Sequence, residues 1–509
     1  MNDFGGENLL SELLTGFTTM LSSPEAMLWC LIGVTLGTII GALPGLGPIT
    51  GMALLLPLTF QMDQLSSLIL LMSIYLGTMY GGRISSILIN VPGDGGAIVT
   101  TFDGYPLARK GRAGYALTLS AIASFVGGVV GFVGMVFLTT ILARVALMFG
   151  PAEYFSLILF TLIAACGLTQ KNPLKPIIAT LFGLLLSTIG TDMVTGDERL
   201  TFGFVELWDG INIAVVGIGL FGISEALFRL EEKVSTGGMK TKLKFSSLFP
   251  KVSEVVSNTG SMIRGSIIGF IVGILPGTGA LLSTFMSYSV EKKLSKNPEE
   301  FGKGAPAGLS GPEASNNASV GGALIPTFAL GIPGSASAAV LMGGLLMVGL
   351  QPGPLLFENS STIVWASFAG FFIANVLLLI LNVAFVPAFA ILIQKIEPFL
   401  IPFIAAFCFI GVYMINYSLF DIWLLIIFGL LGYFLRKANF PLAPFFFAFI
   451  LGPMLEDNLR KAILTATGDL TVFFKSPISL FFLIATAIVL VLPHVRKNKP
   501  EIKPPSKSI

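Results

Sequence analysis

Apolar stretches make up most of this chain, and they restrict its possible folds more than any other feature. Apolar residues account for 54% of its 509 positions, and charged residues for 11%, against roughly 25% charged residues in a soluble protein. A water-soluble globule of this length needs more polar surface, so a cytosolic enzyme is excluded. Because about 20 apolar residues cross a bilayer, the chain is predicted to be an all-α polytopic membrane protein with about 10–14 membrane segments.

The cysteine and histidine counts exclude several kinds of site. Cys30, Cys166 and Cys408 lie in apolar stretches without CxxC spacing, and the one histidine, His494, lies beside a basic tail. We therefore expect neither a disulfide framework nor a His-based metal site. The net charge of +2 gives no reason to expect a nucleic-acid partner.

Two Gly/Pro motifs occur twice, in the same order. The sequence GALPGLG at Gly41–Gly47 returns as GILPGTG at Gly273–Gly279. Tyr-Gly-Gly followed by VPGDGG at Val91–Gly96 matches Val-Gly-Gly followed by IPGSAS at Ile332–Ser337. Two matched pairs at similar spacing indicate an internal duplication.

The charges of the loops reverse between the two copies. The chain is acidic before the first LPG motif, at residues 3–12, and basic before the second, at 240–251. Cations follow PGDGG at 109–112, whereas residues 351–358 after PGSAS contain none. The positive-inside rule interprets this reversal as two repeats of inverted topology, with a periplasmic N-terminus and a cytoplasmic C-terminus. Random loop charge is the alternative.

These features divide the chain into five parts. We predict a first membrane repeat at 1–228, a cytoplasmic linker at 229–261, a second membrane repeat at 262–470, an additional C-terminal transmembrane helix at 471–495 and a basic cytoplasmic tail at 496–509.

The Gly/Pro motifs predict discontinuous helices and re-entrant segments. A break in a membrane helix frees backbone N–H and C=O groups that hydrocarbon cannot satisfy, and inverted repeats with such breaks are typical of secondary transporters. Half-helix N-termini suit an anion, and freed carbonyls suit a cation; a simple packing kink is the alternative. The predicted substrate-binding residues lie at and around the breaks: Pro44, Gly45, Leu46, Gly47, Thr50, Arg83, Asn90, Pro92, Gly93, Pro276, Gly277, Thr278, Gly279, Asn316, Asn317, Pro333, Gly334, Ser335 and Ser337.

Three charged residues near the motifs are costly to place in a membrane and are therefore informative. Arg83 could bind a carboxylate through both guanidinium arms, neutralise Asp94, or lie at the membrane interface. Asp94 could take up a proton, ligate Na⁺, or cap a half-helix, and Glu313 has the same ambiguity. The candidates for binding a coupling ion are Asn90, Asp94, Gly95, Glu313 and Ser315. Na⁺ is a possible ion, with its ligands left open, and no other cofactor is expected.

The same motifs are those of a known family. Gly41–Pro48, Tyr80–Asp94, Thr101–Leu107 and Gly331–Gly334 resemble the large transmembrane subunit of the tripartite tricarboxylate transporters. The resemblance implies a bacterial inner-membrane permease that works with a small four-helix membrane subunit and a periplasmic solute-binding protein. It also implies import of citrate or another organic carboxylate by Na⁺ or H⁺ symport. The lack of a GxxxxGK[ST] phosphate loop agrees with transport that does not use ATP.

Two other classes of function remain as alternatives. A passive organic-anion channel would share the polar helix breaks. An intramembrane enzyme would need a carboxylate pair such as Asp94 and Asp103, and we expect no enzymatic activity. For the transporter, we expect the motif-bearing helices to slide against the remaining helices in an elevator-like movement.

Overall fold

The computed structural model confirms an all-α polytopic membrane protein. It describes residues 6–43, 45–167, 174–192, 194–232, 250–277, 279–385 and 400–496, and 82% of these residues are helical. Within these residues, eight helices are long and apolar enough to cross a membrane: Pro24–Ala42, Gln64–Ile89, Ile98–Ala146, Ile213–Glu231, Val252–Ile274, Ser361–Ala384, Leu419–Lys437 and Leu442–Thr465. Six shorter apolar helices accompany them: Pro48–Gln61, Pro151–Cys166, Leu174–Ser187, Ala336–Met347, Ile401–Asn416 and Pro477–Leu490.

The helices follow one another with short connections. Up to residue 232 they are α1 (Gly6–Ser22), α2 (Pro24–Ala42), α3 (Pro48–Leu55), α4 (Gln64–Ile89), α5 (Ile98–Leu107), α6 (Ala113–Ala146), α7 (Pro151–Gly167), α8 (Leu174–Ser187), α9 (Ile213–Gly217) and α10 (Ser224–Glu232). From residue 252 they are α11 (Val252–Ile274), α12 (Gly279–Leu294), α13 (Pro306–Leu330), α14 (Ala336–Met347), α15 (Pro354–Asn359), α16 (Ser361–Ala384), α17 (Leu400–Asn416), α18 (Leu419–Lys437), α19 (Leu442–Thr465), α20 (Val472–Lys475) and α21 (Pro477–Arg496). A two-stranded hairpin, β1 (Gly190–Thr191) with β2 (Glu198–Arg199), lies between α8 and α9.

Two long helices, α4 and α13, are buried over nearly their whole length. Every residue is buried from 66 to 88 in α4 and from 308 to 330 in α13. Helix α13 is not among the membrane-crossing candidates of the described residues, because its first half is rich in Ser, Asn and Gly and contains a Glu. A polar helix inside an apolar protein needs polar partners or a ligand.

The helix that precedes each LPG motif packs on the buried helix that follows it. Helix α2 packs on α4, and α11 packs on α13. The close approach depends on glycine: a Cβ atom at Gly41 would overlap the Thr78 carbonyl, and a Cβ atom at Gly273 would overlap the Ser319 carbonyl. Small residues at such contacts are typical of membrane helix pairs. Helix α6 packs along α13, and α16 packs against α6, α4 and α2.

The structure shifts one of the sequence matches by one residue. Gly81 lies on the α2 backbone as Gly322 lies on the α11 backbone, and Gly93 lies on Gly82 as Gly334 lies on Ala323. Gly81 is therefore the counterpart of Gly322, although the Tyr-Gly-Gly and Val-Gly-Gly alignment pairs it with Gly321. The second half has three small residues in a row, Gly321, Gly322 and Ala323. The sequence alone therefore does not show which two of them correspond to Gly81 and Gly82.

Helix α11 begins at Val252, ten residues before the predicted start of the second membrane repeat. Its first turn is polar, and the Lys251 N–H donates to the Glu254 carboxylate at 3.0 Å, which closes the helix end. The central part of the predicted linker, 233–249, lies outside the described residues. The boundaries and the inverted orientation of the two repeats stay predictions.

Candidate functional site

Each LPG loop is joined to the PG loop of the same half by one backbone hydrogen bond. The Gly45 N–H donates to the Pro92 carbonyl at 3.4 Å, and the Gly277 N–H donates to the Gly334 carbonyl at 3.1 Å. Gly45 and Gly277 both have a φ of +78°, a conformation that favours glycine. The motifs recognised in the sequence therefore form two matched pairs of loops.

The two halves meet crosswise at these loops. Helix α5, which follows the first PG loop, packs on α12 and α13; helix α14, which follows the second, packs on α3 and α4. A Cβ atom at Gly96 would overlap the side-chain oxygen of Asn316 and lie 3.1 Å from Ala280. On the other side, the Tyr75 hydroxyl hydrogen-bonds the Ser335 hydroxyl at 3.0 Å. The structure thus brings the predicted loops of both halves together, although substrate binding there stays a prediction.

Glu313 lies at the centre of the contact between α13, α5 and α6. Its carboxylate accepts hydrogen bonds from Thr100 at 2.7 Å and from Ser124 at 3.1 Å. The side chain of Asn317 donates to the Glu313 backbone carbonyl at 3.1 Å. These contacts place Glu313 in the helix interior and not at an opening helix turn.

Several polar atoms beside Glu313 have no hydrogen-bond partner in the protein. They are the Ser315 hydroxyl, both side-chain polar atoms of Asn316 and the side-chain oxygen of Asn317. All three residues are fully buried. Unpaired polar atoms at such depth are rare in native proteins and indicate a ligand or bound water.

Arg83 is fully buried and is directed away from the loops. Its guanidinium donates to the Leu117 carbonyl, to Ser120 at 2.8 Å and to the Asn382 side chain at 2.8 Å. Ser120 and the Glu313 partner Ser124 are one turn apart on α6, so this helix contacts both buried charged side chains, which also attract each other. The structure therefore gives Arg83 neutral partners on α6 and α16 in place of Asp94.

Asp94 lies on the first PG loop, beside the start of α5. Its carboxylate accepts the Ala97 N–H at 3.0 Å, and a Cβ atom built on Gly82 or Gly47 would lie 3.1 Å from this side chain. Asp94 is half-buried, whereas Asn90 and Gly95 on the same loop are exposed. The first PG loop is therefore accessible. The bond to Ala97 connects Asp94 to the residue before α5, and the three roles considered for Asp94 stay predictions.

The other predicted residues lie in or beside the loops. Ser335 caps α14 by accepting the Ala338 N–H at 3.1 Å, and Asn90 ends α4 in the left-handed conformation with a φ of +60°. Leu46, Gly47, Thr50, Pro92, Gly93, Pro276, Gly279, Pro333, Gly334 and Ser337 occupy the loops or the first turns of the following helices. Pro44 and Thr278 lie outside the described residues.

Sequence reasoning did not predict the contacts of two residues: Asp103, which it considered only for an aspartyl pair, and Arg229. Asp103 accepts the backbone N–H groups of the segment before α13, from Gly302, Gly304 and Ala305 at 2.7–2.9 Å. It thereby caps a helix of the other half, and this use differs from an aspartyl pair. No local pattern signals it, because the partners are about 200 residues away along the chain.

Arg229 lies beside the first LPG loop. A Cβ atom at Gly45 would be 3.3 Å from its guanidinium, and its own partner is Glu225 at 2.7 Å, which also binds Arg436. The sequence places Arg229 at the start of the predicted linker, 229–261, and predicts no partner for it. The spacing of four residues between Glu225 and Arg229 is the signal that could have identified the pair.

Interrupted helices that meet crosswise at buried, unpaired polar groups define a multi-pass membrane protein of the transporter class. The chain belongs to the tripartite tricarboxylate transporter TctA family, whose family model matches residues 27–447. This is a family of transport proteins and not of enzymes.

Two relatives come from Agrobacterium vitis. An uncharacterized 52.8 kDa protein in the TAR-I ttuC' 3' region is 40% identical over 499 residues, covering 97% of this chain and 99% of the relative. An uncharacterized protein in the TAR-II ttuC' 3' region is 39% identical over 237 residues, covering 46% of this chain and 98% of the relative. No solved structure matches the chain.

Proposed function

We propose that this protein is the permease subunit of a binding-protein-dependent secondary transporter. It imports tricarboxylates or related organic carboxylates, such as citrate, by symport with Na⁺ or H⁺. It resides in the bacterial inner membrane with its N-terminus in the periplasm and its C-terminus in the cytoplasm. Its partners are a small four-helix membrane subunit and a periplasmic solute-binding protein.

The observation that supports this proposal best is the crosswise meeting of four Gly/Pro loops at unpaired polar atoms. Helices α3, α5, α12 and α14 each begin directly after one of these loops. A helix N-terminus presents free N–H groups and partial positive charge, which favour an anionic group. Carboxylate substrates can therefore bind at a helix start that no side chain caps, such as that of α3, without an arginine in direct contact.

The acidic residues Glu313 and Asp94 support coupling to a cation. Glu313 and Asp94 place two carboxylates near the loops, while Arg83 is held by acceptors on α6 and α16. An anionic substrate entering this region adds negative charge, and an accompanying cation offsets it. Transport in an elevator-like manner then moves the motif-bearing helices together relative to the remaining helices.

Proteoliposomes that contain the permease, the small subunit and the loaded binding protein test the proposal. We expect a Na⁺ or proton gradient to drive uptake of a radiolabelled carboxylate above its outside concentration, without ATP. Uptake that requires ATP would contradict a secondary mechanism. A flux that never exceeds equilibrium, and does not saturate with the binding protein, would instead identify a passive channel.

A further inference from the structure

We propose that the protein has one alkali-cation site, between the Asn316 side chain and the first PG loop. The pseudo-equivalent place in the other half, between Tyr75 and Ser335, is closed by the hydrogen bond between these two side chains. The inference rests on the proposed function, since it names the ion and the residues that bind it. It differs from the sequence-based expectation, which assigned Asn316 to the substrate.

Asn316 is the residue that indicates a missing ligand. It is 0% exposed, and neither its amide nitrogen nor its oxygen has a partner. Its side-chain oxygen faces Gly96, where any Cβ atom would overlap it. A buried amide with no partner loses free energy, so a bound group that restores its interactions explains why it lies there.

The surrounding charges favour a cation over an anion. Asp94 lies two residues before Gly96, and its carboxylate accepts the N–H of Ala97, the residue before α5. Glu313 lies one helical turn before Asn316 on α13; its hydrogen bonds come from neutral hydroxyls. The Arg83 guanidinium attracts Glu313 but donates its hydrogen bonds to α6 and α16, so one positive charge stands against the two carboxylates. A carboxylate placed beside Asn316 would face both acidic residues, whereas a cation would be attracted by them.

The donor set favours a monovalent ion. Oxygen atoms of Asn316, Ser315 and Asp94 are ligands of the type that hard cations prefer. Among the described residues, no group of three or more His, Cys, Asp or Glu side chains could hold a metal, which disfavours a divalent or transition ion. An amide does not titrate, so Asn316 itself can serve a metal cation such as Na⁺ but cannot take up a proton.

The pseudo-equivalent place differs in a way that fits this assignment. Tyr75 and Asn316 both lie six positions before the matched glycines Gly81 and Gly322, and Ser335 stands where the first PG loop has Asp94. Tyr75 and Ser335 bond each other at 3.0 Å, and Ser335 is 7% exposed. Here the two hydroxyls bond each other and no carboxylate occupies the position that Asp94 has in the first PG loop, so this half needs no ion.

Binding of radiolabelled Na⁺ to the full-length chain in detergent tests the site directly. We expect saturable binding that unlabelled Na⁺ displaces and choline does not. Asn316→Leu removes both polar atoms at similar volume and should weaken Na⁺ binding about tenfold or more. Asn316→Asp keeps a ligand oxygen and should retain binding, which provides a folded comparison if Asn316→Leu is unstable. The matched control Tyr75→Phe removes the hydroxyl that bonds Ser335 and leaves the Asn316 and Asp94 oxygens in place, so it should bind as the wild type does.

The outcomes separate this inference from the proposed function. No saturable Na⁺ binding by the wild type, or unchanged binding by Asn316→Leu, overturns the site even if proton-driven uptake is found. Weakened binding by Tyr75→Phe overturns the claim that one half alone holds the ion. Saturable binding lost in Asn316→Leu supports the site, and it does so even if the reconstituted system fails to take up carboxylates.

Discussion

Gly93 has far less room around its Cα than its neighbour Gly95. A Cβ atom at Gly93 would overlap the Gly41 carbonyl oxygen and lie 2.5 Å from the Gly82 Cα. These are backbone atoms, so no side-chain rotation relieves the overlap. At Gly95 the nearest atom would be a Leu281 Cβ at 3.9 Å, an ordinary contact.

We therefore expect Gly93→Ala to destabilise the protein by about 1–3 kcal/mol, the usual cost of overpacking. Gly95→Ala should stay within about 0.5 kcal/mol of the wild type. Thermal unfolding of the purified variants in one detergent measures both effects. Equal melting temperatures for the two variants would show that the first PG loop does not rest on α2 and α4.

Individual residues also show where sequence reasoning reached its limit. The roles of glycine and proline were predictable, because φ above zero and a missing N–H are properties of the residue itself. The partner of a buried charge was not predictable. Arg83 was considered as a carboxylate ligand, but its acceptors come from α6 and α16, far along the chain.

Helix α13 receives its N-terminal cap from the other half of the protein. In α4 the cap is local, since Asp63 accepts the N–H groups of Leu65 and Ser66. Helix α13 has Ala305 at that position, with no side-chain cap, and Asp103 supplies the carboxylate from α5. The cap therefore also fixes α5 against the start of the central polar helix.

This difference leads to a prediction about the two caps. Asp103→Ala should cost about 2 kcal/mol or more, because three N–H groups lose a charged acceptor, while Asp63→Ala should cost about 1 kcal/mol. Hydrogen exchange should accelerate at residues 302–310 in Asp103→Ala and at 64–67 in Asp63→Ala. Unchanged exchange at 302–310 would contradict the capping role of Asp103.

The β1–β2 hairpin is attached to α19 through Asp192. The Arg460 guanidinium donates to both carboxylate oxygens at 2.8 and 3.1 Å. This bond, followed by the N–H groups of Val194 and Thr195, holds the pKa of Asp192 well below its usual range. A carboxylate with a lowered native pKa stabilises the folded state above its unfolded pKa, about 3.9, and loses this effect as the pH falls toward the native value.

We accordingly expect hydrogen-exchange protection of residues 190–199 to decrease as the pH is lowered below about 4. In Arg460→Gln the native pKa of Asp192 should rise toward its ordinary value, so this pH dependence should become shallower. Exchange measured over a pH series, corrected for intrinsic rates, gives the comparison. Identical profiles for both proteins would exclude Arg460 as the cause.

At the level of helices, the sequence predicted the all-α membrane class, the helix breaks at the Gly/Pro motifs and the matching of these motifs between the halves. The length of apolar segments and the positions of Gly and Pro are local signals. It did not predict the short hairpin or the early start of α11. These depend on tertiary partners. For the hairpin they are Glu456 and Arg460 on α19, which bond Arg199 and Asp192; for α11 the partner is Arg112, which bonds Glu254 at 2.6 Å.

Across the whole molecule, the crosswise packing distinguishes two kinds of movement. Helix α5 of the first half packs on α12 and α13 of the second half, and helix α14 of the second half packs on α3 and α4 of the first. An elevator-like movement carries all these helices together and preserves their contacts. A rocking movement of one half against the other would have to separate α5 from α12 and α14 from α3.

A disulfide between residues 95 and 281 can decide between them. The Cβ atom of a residue at 95 would lie 3.9 Å from that of Leu281, within the range of about 3.5–4.5 Å for disulfides. The native cysteines are free and buried and would be replaced first. We expect Gly95→Cys with Leu281→Cys to cross-link on oxidation and to retain the uptake rate of its reduced form, since both positions move together. Each single-cysteine variant, treated with the same oxidant, controls for the substitution itself. Because residue 95 adjoins the proposed ion site, Na⁺ binding in detergent is measured before and after cross-linking. Uptake that stops on cross-linking and returns on reduction, with Na⁺ binding unchanged, would show that the halves separate during transport, and the elevator-like movement would then be wrong.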